Sequence, residues 1–218
     1  LSAAKLVRNK KSFFNLSVSK ERPFMRVIGG ELKGRRFKAG VDYSIRPTSD
    51  KVREAIFDIL QGRIGGRNTL DLFAGTGALG IEALSRGASS SAFVDSSSAA
   101  IDIIRDNLKS LSLADRARVS KLELPRQLKR IVPPIAAGAP RPHENKGFDL
   151  VFADPPYGQG LLEGTLAEIE RLDLAASGAI IVIEQASREN IAERFGSIEL
   201  ISRRVYSDTA VSFYERAL

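Results

Sequence analysis

The chain has 218 residues, 43% hydrophobic and 27% charged, with a formal net charge of +7 and no cysteine. That suits one large α/β domain with a small appendage. It excludes disulfides and thiolate metal sites, and no apolar run reaches the ~18 residues of a membrane-spanning helix.

The charge is uneven along the chain. Residues 1–53 carry fourteen Lys/Arg and four Asp/Glu, a balance of +10, whereas residues 54–218 sum to −3. Positive charge gathered at one end suits a docking surface for a polyanion. Residues 1–24, "LSAAKLVRNKKSFFNLSVSKERPF", hold six bases and one acid, and the single methionine, Met25, follows them directly. Met25 reads as the natural start, with residues 1–24 a basic extension. Two other readings are an organelle-targeting segment, since such segments are basic and poor in acids, and an arm that folds on nucleic acid.

From Met25, "RVIGGELKGRRFKA" predicts a hairpin around two glycine-containing turns. "RPTSDKVREAIFDILQG" predicts a helix capped by Thr48 or Ser49, with Val52, Ile56, Ile59 and Leu60 as its apolar stripe. Residues 25–62 therefore read as a small basic module, and Arg26, Lys33, Arg35, Arg36, Lys38, Arg46 and Arg53 are its candidate residues for docking a polyanion such as a nucleic acid.

Residues 63–218 read as a second unit of alternating strands and helices. "TLDLF" (69–73) and "SAFVD" (91–95) are strands, each followed by a helix. The second helix spaces Ile101, Ile104, Leu108 and Leu111 at helical intervals. "ARVSKLE" (117–123) is a weaker strand, and 133–147 is a Pro- and Ala-rich connection. "FDLVFAD" (148–154) and "GAIIVIE" (178–184) are nearly all apolar, as strands covered on both faces should be. The tail reads as two strands joined by a Ser-Asp turn. This alternation predicts a doubly wound, mostly parallel sheet closed by an antiparallel hairpin. The only histidine, His143, reads as a solvated loop residue, because no second histidine is available to make a metal site.

Such sheets bind ligands beyond the carboxyl ends of their strands. The loop "DLFAGTGALG" places Gly75, Gly77 and Gly80 in a G-x-G-x-x-G pattern, and Asp95 ends the next strand where a carboxylate would take ribose hydroxyls. Taken alone, this is compatible with a dinucleotide site. Asp71, just ahead of the glycines, would repel a pyrophosphate and suit an ammonium. S-adenosylmethionine has an ammonium, a ribose and no phosphate.

"DPPY" follows the fourth strand. Two prolines hold the segment stiff and extended. Asp154 and the carbonyl of Pro155 can grip the two hydrogens of a nucleobase amine and aim its lone pair at a methyl donor. Pro156 completes the rigid turn, and Tyr157 can stack on an unstacked base.

These strings resemble the class I S-adenosylmethionine-dependent methyltransferases. "RVIGGELKGRRF", "RPTSDKVREAIFDIL", "LDLFAGTGALGIEALSRGA" and "FDLVFADPPYG" are similar to those of the RsmD type, the 16S ribosomal RNA guanine-N2 methyltransferases. The resemblance runs from Met25 to about Tyr214. It implies a Rossmann-like sheet of seven strands, the last antiparallel, with a small N-terminal hairpin-and-helix module. It implies S-adenosylmethionine as cofactor, with Asp71, Phe73, Gly75, Gly77 and Asp95 in its site, and Glu123 in the place where relatives meet the adenine amine. Asp154, Pro155, Pro156 and Tyr157 match the catalytic motif. The implied substrate is one guanine of 16S ribosomal RNA in the small subunit or its assembly intermediate. The expected enzyme is a cytoplasmic monomer without metal or membrane, or resides in an organelle stroma or matrix if residues 1–24 are a targeting remnant. Two alternatives stay open: an adenine-N6 methyltransferase on DNA or RNA, and a catalytically silent RNA-binding protein.

Overall fold

The computed structural model describes residues 24–40, 49–131, 147–156 and 158–218. The expectations for residues 1–23, Arg46, His143, Tyr157 and most of the 133–147 connection lie outside the described residues.

The predicted hairpin forms from β1 (Phe24–Arg26) and β2 (Arg36–Lys38), paired antiparallel. Helix α1 (Asp50–Ile59) starts where the Ser49 side chain accepts the Val52 N–H at 3.3 Å, satisfying one orphan donor of its first turn. Its buried arc holds Val52, Arg53, Ile56 and Phe57, continued by Leu60. Ile59, predicted to belong to that stripe, is 43% exposed. At 100° per residue it falls at the margin of the arc, and Phe57 takes its place.

The strands β3 (Asn68–Leu72), β4 (Ser90–Asp95), β5 (Ala117–Lys121), β6 (Phe148–Ala153), β7 (Ala175–Ala186), β8 (Arg194–Phe195), β9 (Ile198–Tyr206) and β10 (Thr209–Arg216) make one eight-stranded sheet. Its order is β5-β4-β3-β6-β7-β10-β9-β8. Strands β3 to β7 are parallel; β10 runs antiparallel to both β7 and β9. The expected seven strands are therefore present, with the last inserted antiparallel, and the two-residue β8 is an added edge. Strand β7 starts earlier than predicted. Its first residues, Ala175–Ala176–Ser177, lack β-branched side chains, and its register against β6 shifts between Phe148 and Leu150.

Helices α2 (Ala78–Ser85) and α3 (Ser98–Ser110) follow β3 and β4 as expected. Helix α4 (Leu161–Arg171), which the strand pattern left unnamed, crosses from β6 to β7 and buries Leu162, Thr165, Leu166 and Ile169. One face of the sheet carries a core shared by Val27 and Phe37 of the hairpin, Ile56 and Phe57 of α1, and Phe152, Val182 and Val211 of the strands. The opposite core joins α4 to Leu70, Val151 and Ile181. The hairpin is also fastened by polar groups: Ile28 and Gly29 donate their N–H groups to the buried carboxylate of Glu82 at 2.8 and 2.7 Å. No helix among the described residues is long and apolar enough to cross a membrane.

Candidate active site

The strand order reverses at β3, which has β4 on one side and β6 on the other. At such a switch point the loops leave in opposite directions and open a crevice at the carboxyl ends. The loop after β3 lies there. Gly75 and Gly77 have φ of 54° and 79°, the left-handed region that glycine enters without penalty. Gly77 also caps α2. Gly80 serves packing instead: a Cβ there would lie 2.3 Å from the Phe93 ring. So the first two glycines shape the bend, and the third lets α2 approach β4.

Three carboxylates surround this bend. Asp95, at the end of β4, accepts the Gly75 N–H at 2.9 Å through Oδ2 and the Ser97 N–H at 2.8 Å through Oδ1. Each oxygen keeps a second lone pair for a ligand hydroxyl. Asp71 is 2% exposed and its Oδ2 accepts the Gly80 N–H at 2.9 Å. Burial pushes its pKa up to about 8; the Gly80 N–H opposes this and the nearby Asp95 adds to it. Asp71 thus braces the loop from below, deeper than a residue meant only to meet a ligand. Asp154 follows β6, and its N–H donates to Leu72 O at 3.4 Å, which keeps it beside β3. Pro155 is buried and Pro156 exposed. The next described residue after the motif, Gly158, donates its N–H to Glu189 Oε1 at 2.6 Å.

Phe73 adopts a positive φ of 58°, a strained geometry for a bulky residue. It is half-buried at the start of the loop. Glu123 sits just past β5, where Leu122 donates its N–H to Asp95 O at 2.9 Å. Its side chain is mostly exposed and pairs with Arg126. The structure therefore gathers Asp71, Phe73, Gly75, Gly77, Asp95 and Asp154 at the switch point, with Glu123 on the rim beside Asp95.

The basic residues divide. Lys33, Arg35 and Arg36 are exposed and belong to no ion pair among the described residues. Arg26 pairs with Asp50 at 3.2 Å and Lys38 with Asp106 at 2.6 Å. Arg53 corrects the sequence expectation. Its side chain is wholly buried, donates to Arg26 O at 2.7 Å and Asp50 Oδ1 at 2.9 Å, and cannot reach a phosphate. Burial lowers its pKa, with Asp50 opposing. It ties α1 to the hairpin.

Two polar residues escaped the sequence reading. Asn107 of α3 is fully buried; its Nδ2 donates to Lys38 O and Thr76 O, both at 3.0 Å, and its Oδ1 accepts the Lys38 N–H at 2.8 Å. The signal was a polar residue lying among the apolar positions Ile104 and Leu108. Glu184 is 5% exposed near the end of β7. The signal was an acid closing an otherwise apolar strand, as Asp95 and Asp154 also do.

Residues 25–215 match a family model described as conserved hypothetical protein 95. Ribosomal RNA small subunit methyltransferase D of Escherichia coli (strain K12) is 33% identical over 192 residues, which is 88% of this chain and 90% of that protein. The chain belongs to the RsmD family. "Putative rRNA methyltransferase YlbH" of Bacillus subtilis (strain 168) is 38% identical over 192 residues, 88% of this chain and 99% of the relative. Among solved structures, "Putative methyltransferase yhhF" from Escherichia coli superposes with a TM-score of 0.75 at 31% identity, covering 89% of this chain and 99% of that one. The RsmD resemblance seen in the four sequence strings therefore holds over the length from the hairpin to β10, and the Rossmann-like methyltransferase fold goes with it.

Proposed function

We propose that this chain, an S-adenosylmethionine-dependent ribosomal RNA methyltransferase by family, methylates the exocyclic N2 amine of a guanine in 16S ribosomal RNA of the small subunit. The observation that carries the reading is the placement of Asp95 and Asp154 on either side of the β3 glycine loop, at the point where the sheet reverses. The donor set suits the cofactor. A side-chain carboxylate is offered for ribose hydroxyls at Asp95, Asp71 braces the loop from beneath through the Gly80 N–H, and the space above Gly75 is open, with nothing nearer than 4.0 Å to a Cβ built there.

When bound, S-adenosylmethionine supplies an electrophilic methyl group on a sulfonium. The protein supplies orientation and charge. Asp154 accepts one hydrogen of the target amine and the Pro155 carbonyl the other, which favours a pyramidal nitrogen with its lone pair directed at the methyl. The carboxylate interacts more strongly as the nitrogen gains positive charge, so its effect falls on the transition state. Pro155 and Pro156 keep these acceptors from relaxing. Tyr157 offers its ring to the unstacked base. Lys33, Arg35 and Arg36 present positive charge to the phosphates of an assembled or assembling cytoplasmic subunit. Such a particle holds the RNA around the target base in one shape, and shape is what a protein reads on folded RNA.

The reading is tested by incubating the protein with labelled S-adenosylmethionine and small subunits from a strain lacking this activity. Label is expected in N2-methylguanosine after nucleoside digestion. Label confined to N6-methyladenosine would overturn it.

A further inference from the structure

Four charged side chains are almost wholly buried among the described residues: Arg53, Asp71, Glu82 and Glu184. The first three brace the fold. Arg53 holds the hairpin carbonyl of Arg26, Asp71 holds the Gly80 N–H, and Glu82 takes the N–H groups of Ile28 and Gly29 and the Arg86 guanidinium. Glu184 stands elsewhere, at the carboxyl end of β7.

The β6–β7 ladder locates it. Phe152 pairs with Val182 and Ala153 with Ile183, so Asp154 and Glu184 are the residues that follow the last paired step of the two parallel strands. Side chains alternate along a strand. Glu184, within β7, therefore follows Val182 on the face that also carries Val211, its β10 partner, and Asp154 directly follows the end of β6. Asp154 is half-buried and Glu184 is deeper. The neighbouring position, Gln185, faces the other way and is held by Ser212 Oγ and Glu189 O. The carboxyl ends of β6 and β7 thus bring two acids to neighbouring positions, one half-buried and one deeper.

Resting on the guanine-N2 reading, we propose that Glu184 is a specificity-determining residue that accepts the N1–H of the target guanine while Asp154 grips the N2 amine. The chemistry of base edges favours this assignment. Guanine places two donors, N1–H and N2–H₂, next to one another. Adenine flanks its N6 amine with the N1 lone pair, and cytosine flanks its N4 amine with the N3 lone pair. Two neighbouring acceptors match the guanine edge and set a lone pair against a carboxylate for the other two. Depth fits as well: a buried acceptor is reached only by a base turned out of its stack, and a buried polar group designed for a donor rejects an analogue lacking it.

The test uses small subunits reconstituted with 2-aminopurine in place of the target guanine. That base keeps the 2-amine but has a lone pair at N1 instead of a hydrogen. The wild-type protein is expected to methylate it with kcat/KM lower by roughly tenfold to a hundredfold, the scale of one hydrogen-bonded base edge. Glu184→Gln keeps the length and one acceptor and adds a donor. Its guanine-to-2-aminopurine ratio should fall at least tenfold, with cofactor affinity by calorimetry unchanged. Equal losses on both bases would make Glu184 a structural residue and overturn the proposal. If the variant fails to fold, the wild-type comparison stands alone: equal kcat/KM on the two bases overturns it. Absence of transfer to unmodified subunits overturns the parent function too, and is distinguishable because it precedes any comparison of bases.

Discussion

The carboxylate of Asp95 takes the Gly75 N–H at 2.9 Å, so the end of β4 and the bend of the glycine loop are fixed to each other before any ligand arrives. A group that shapes the loop and is proposed to meet the ribose should matter twice. Asp95→Ala is expected to weaken S-adenosylmethionine binding by roughly 1.5–3 kcal/mol, the range for hydrogen bonds to a charged group. Titration calorimetry reads this directly, and an unchanged affinity would remove Asp95 from the site.

Asp154 should act on the chemical step. Asp154→Asn keeps the shape and one acceptor but removes the charge. Turnover should fall by about two to three orders of magnitude, the cost of one preorganised electrostatic group, with cofactor affinity unaltered. Single-turnover rates on small subunits check this; a full rate in the variant would sink the proposed grip on the amine.

Asp71 predicts a pH dependence of stability. Its carboxyl ordinarily releases a proton near 3.8, but burial holds that proton to about 8 in the fold. Between these values the native state binds the proton and the unfolded chain does not, so stability falls as pH rises, by at most about 1.4 kcal/mol per pH unit. Asp71→Asn retains an acceptor for Gly80 and does not titrate. Relative to wild type, the variant should gain stability from pH 4.5 to 8 and level off above 8. Denaturant melts across that range measure the difference, and a constant offset would refute the assignment.

Gly80 is fixed by packing. A Cβ would meet the Phe93 ring at 2.3 Å and Ser91 Oγ at 2.8 Å. Gly80→Ala should cost about 1–3 kcal/mol through overpacking, seen as a lower denaturation midpoint with an unchanged m-value.

The basic surface should reveal itself through salt. Neutralising Lys33, Arg35 and Arg36 is expected to weaken subunit binding and flatten its dependence on log salt. The slope should drop by roughly 0.7 for each phosphate of a single strand that the protein no longer neutralises. Cofactor affinity should stay put. An unaltered slope would place the RNA elsewhere on the protein.

The sheet was legible because its buried strands are apolar runs punctuated by glycine and acid: "TLDLF", "SAFVD" and "FDLVFAD" need no tertiary information. The loop glycines were equally plain, since each answers to a backbone or packing requirement of its own. Arg53 was misread because charge is visible in a sequence and burial is not; only the fold shows that its guanidinium closes against the Arg26 carbonyl. Asp71 was placed in the right loop, yet its depth depends on how closely α2 packs. Asn107 and Glu184 had weaker signals, a polar break in an apolar stripe and an acid at a strand end. What each faces is decided by elements distant in sequence: Asn107 meets Lys38 across 69 residues, and the step beside Glu184 is set by the register of β6.

The Asn107 clamp bears on how this enzyme can change over generations. One amide holds both the second hairpin strand and the carbonyl of Thr76 in the glycine loop, while Val27 and Phe37 of the hairpin sit inside the shared core. A chain begun at residue 63 would uncover that core and take Lys38 from the buried amide and the Ile28 and Gly29 N–H groups from the Glu82 carboxylate, so it should aggregate instead of yielding a working half. The hairpin is therefore not a detachable cassette. Whatever it contributes has to change together with the sheet to which it is clamped.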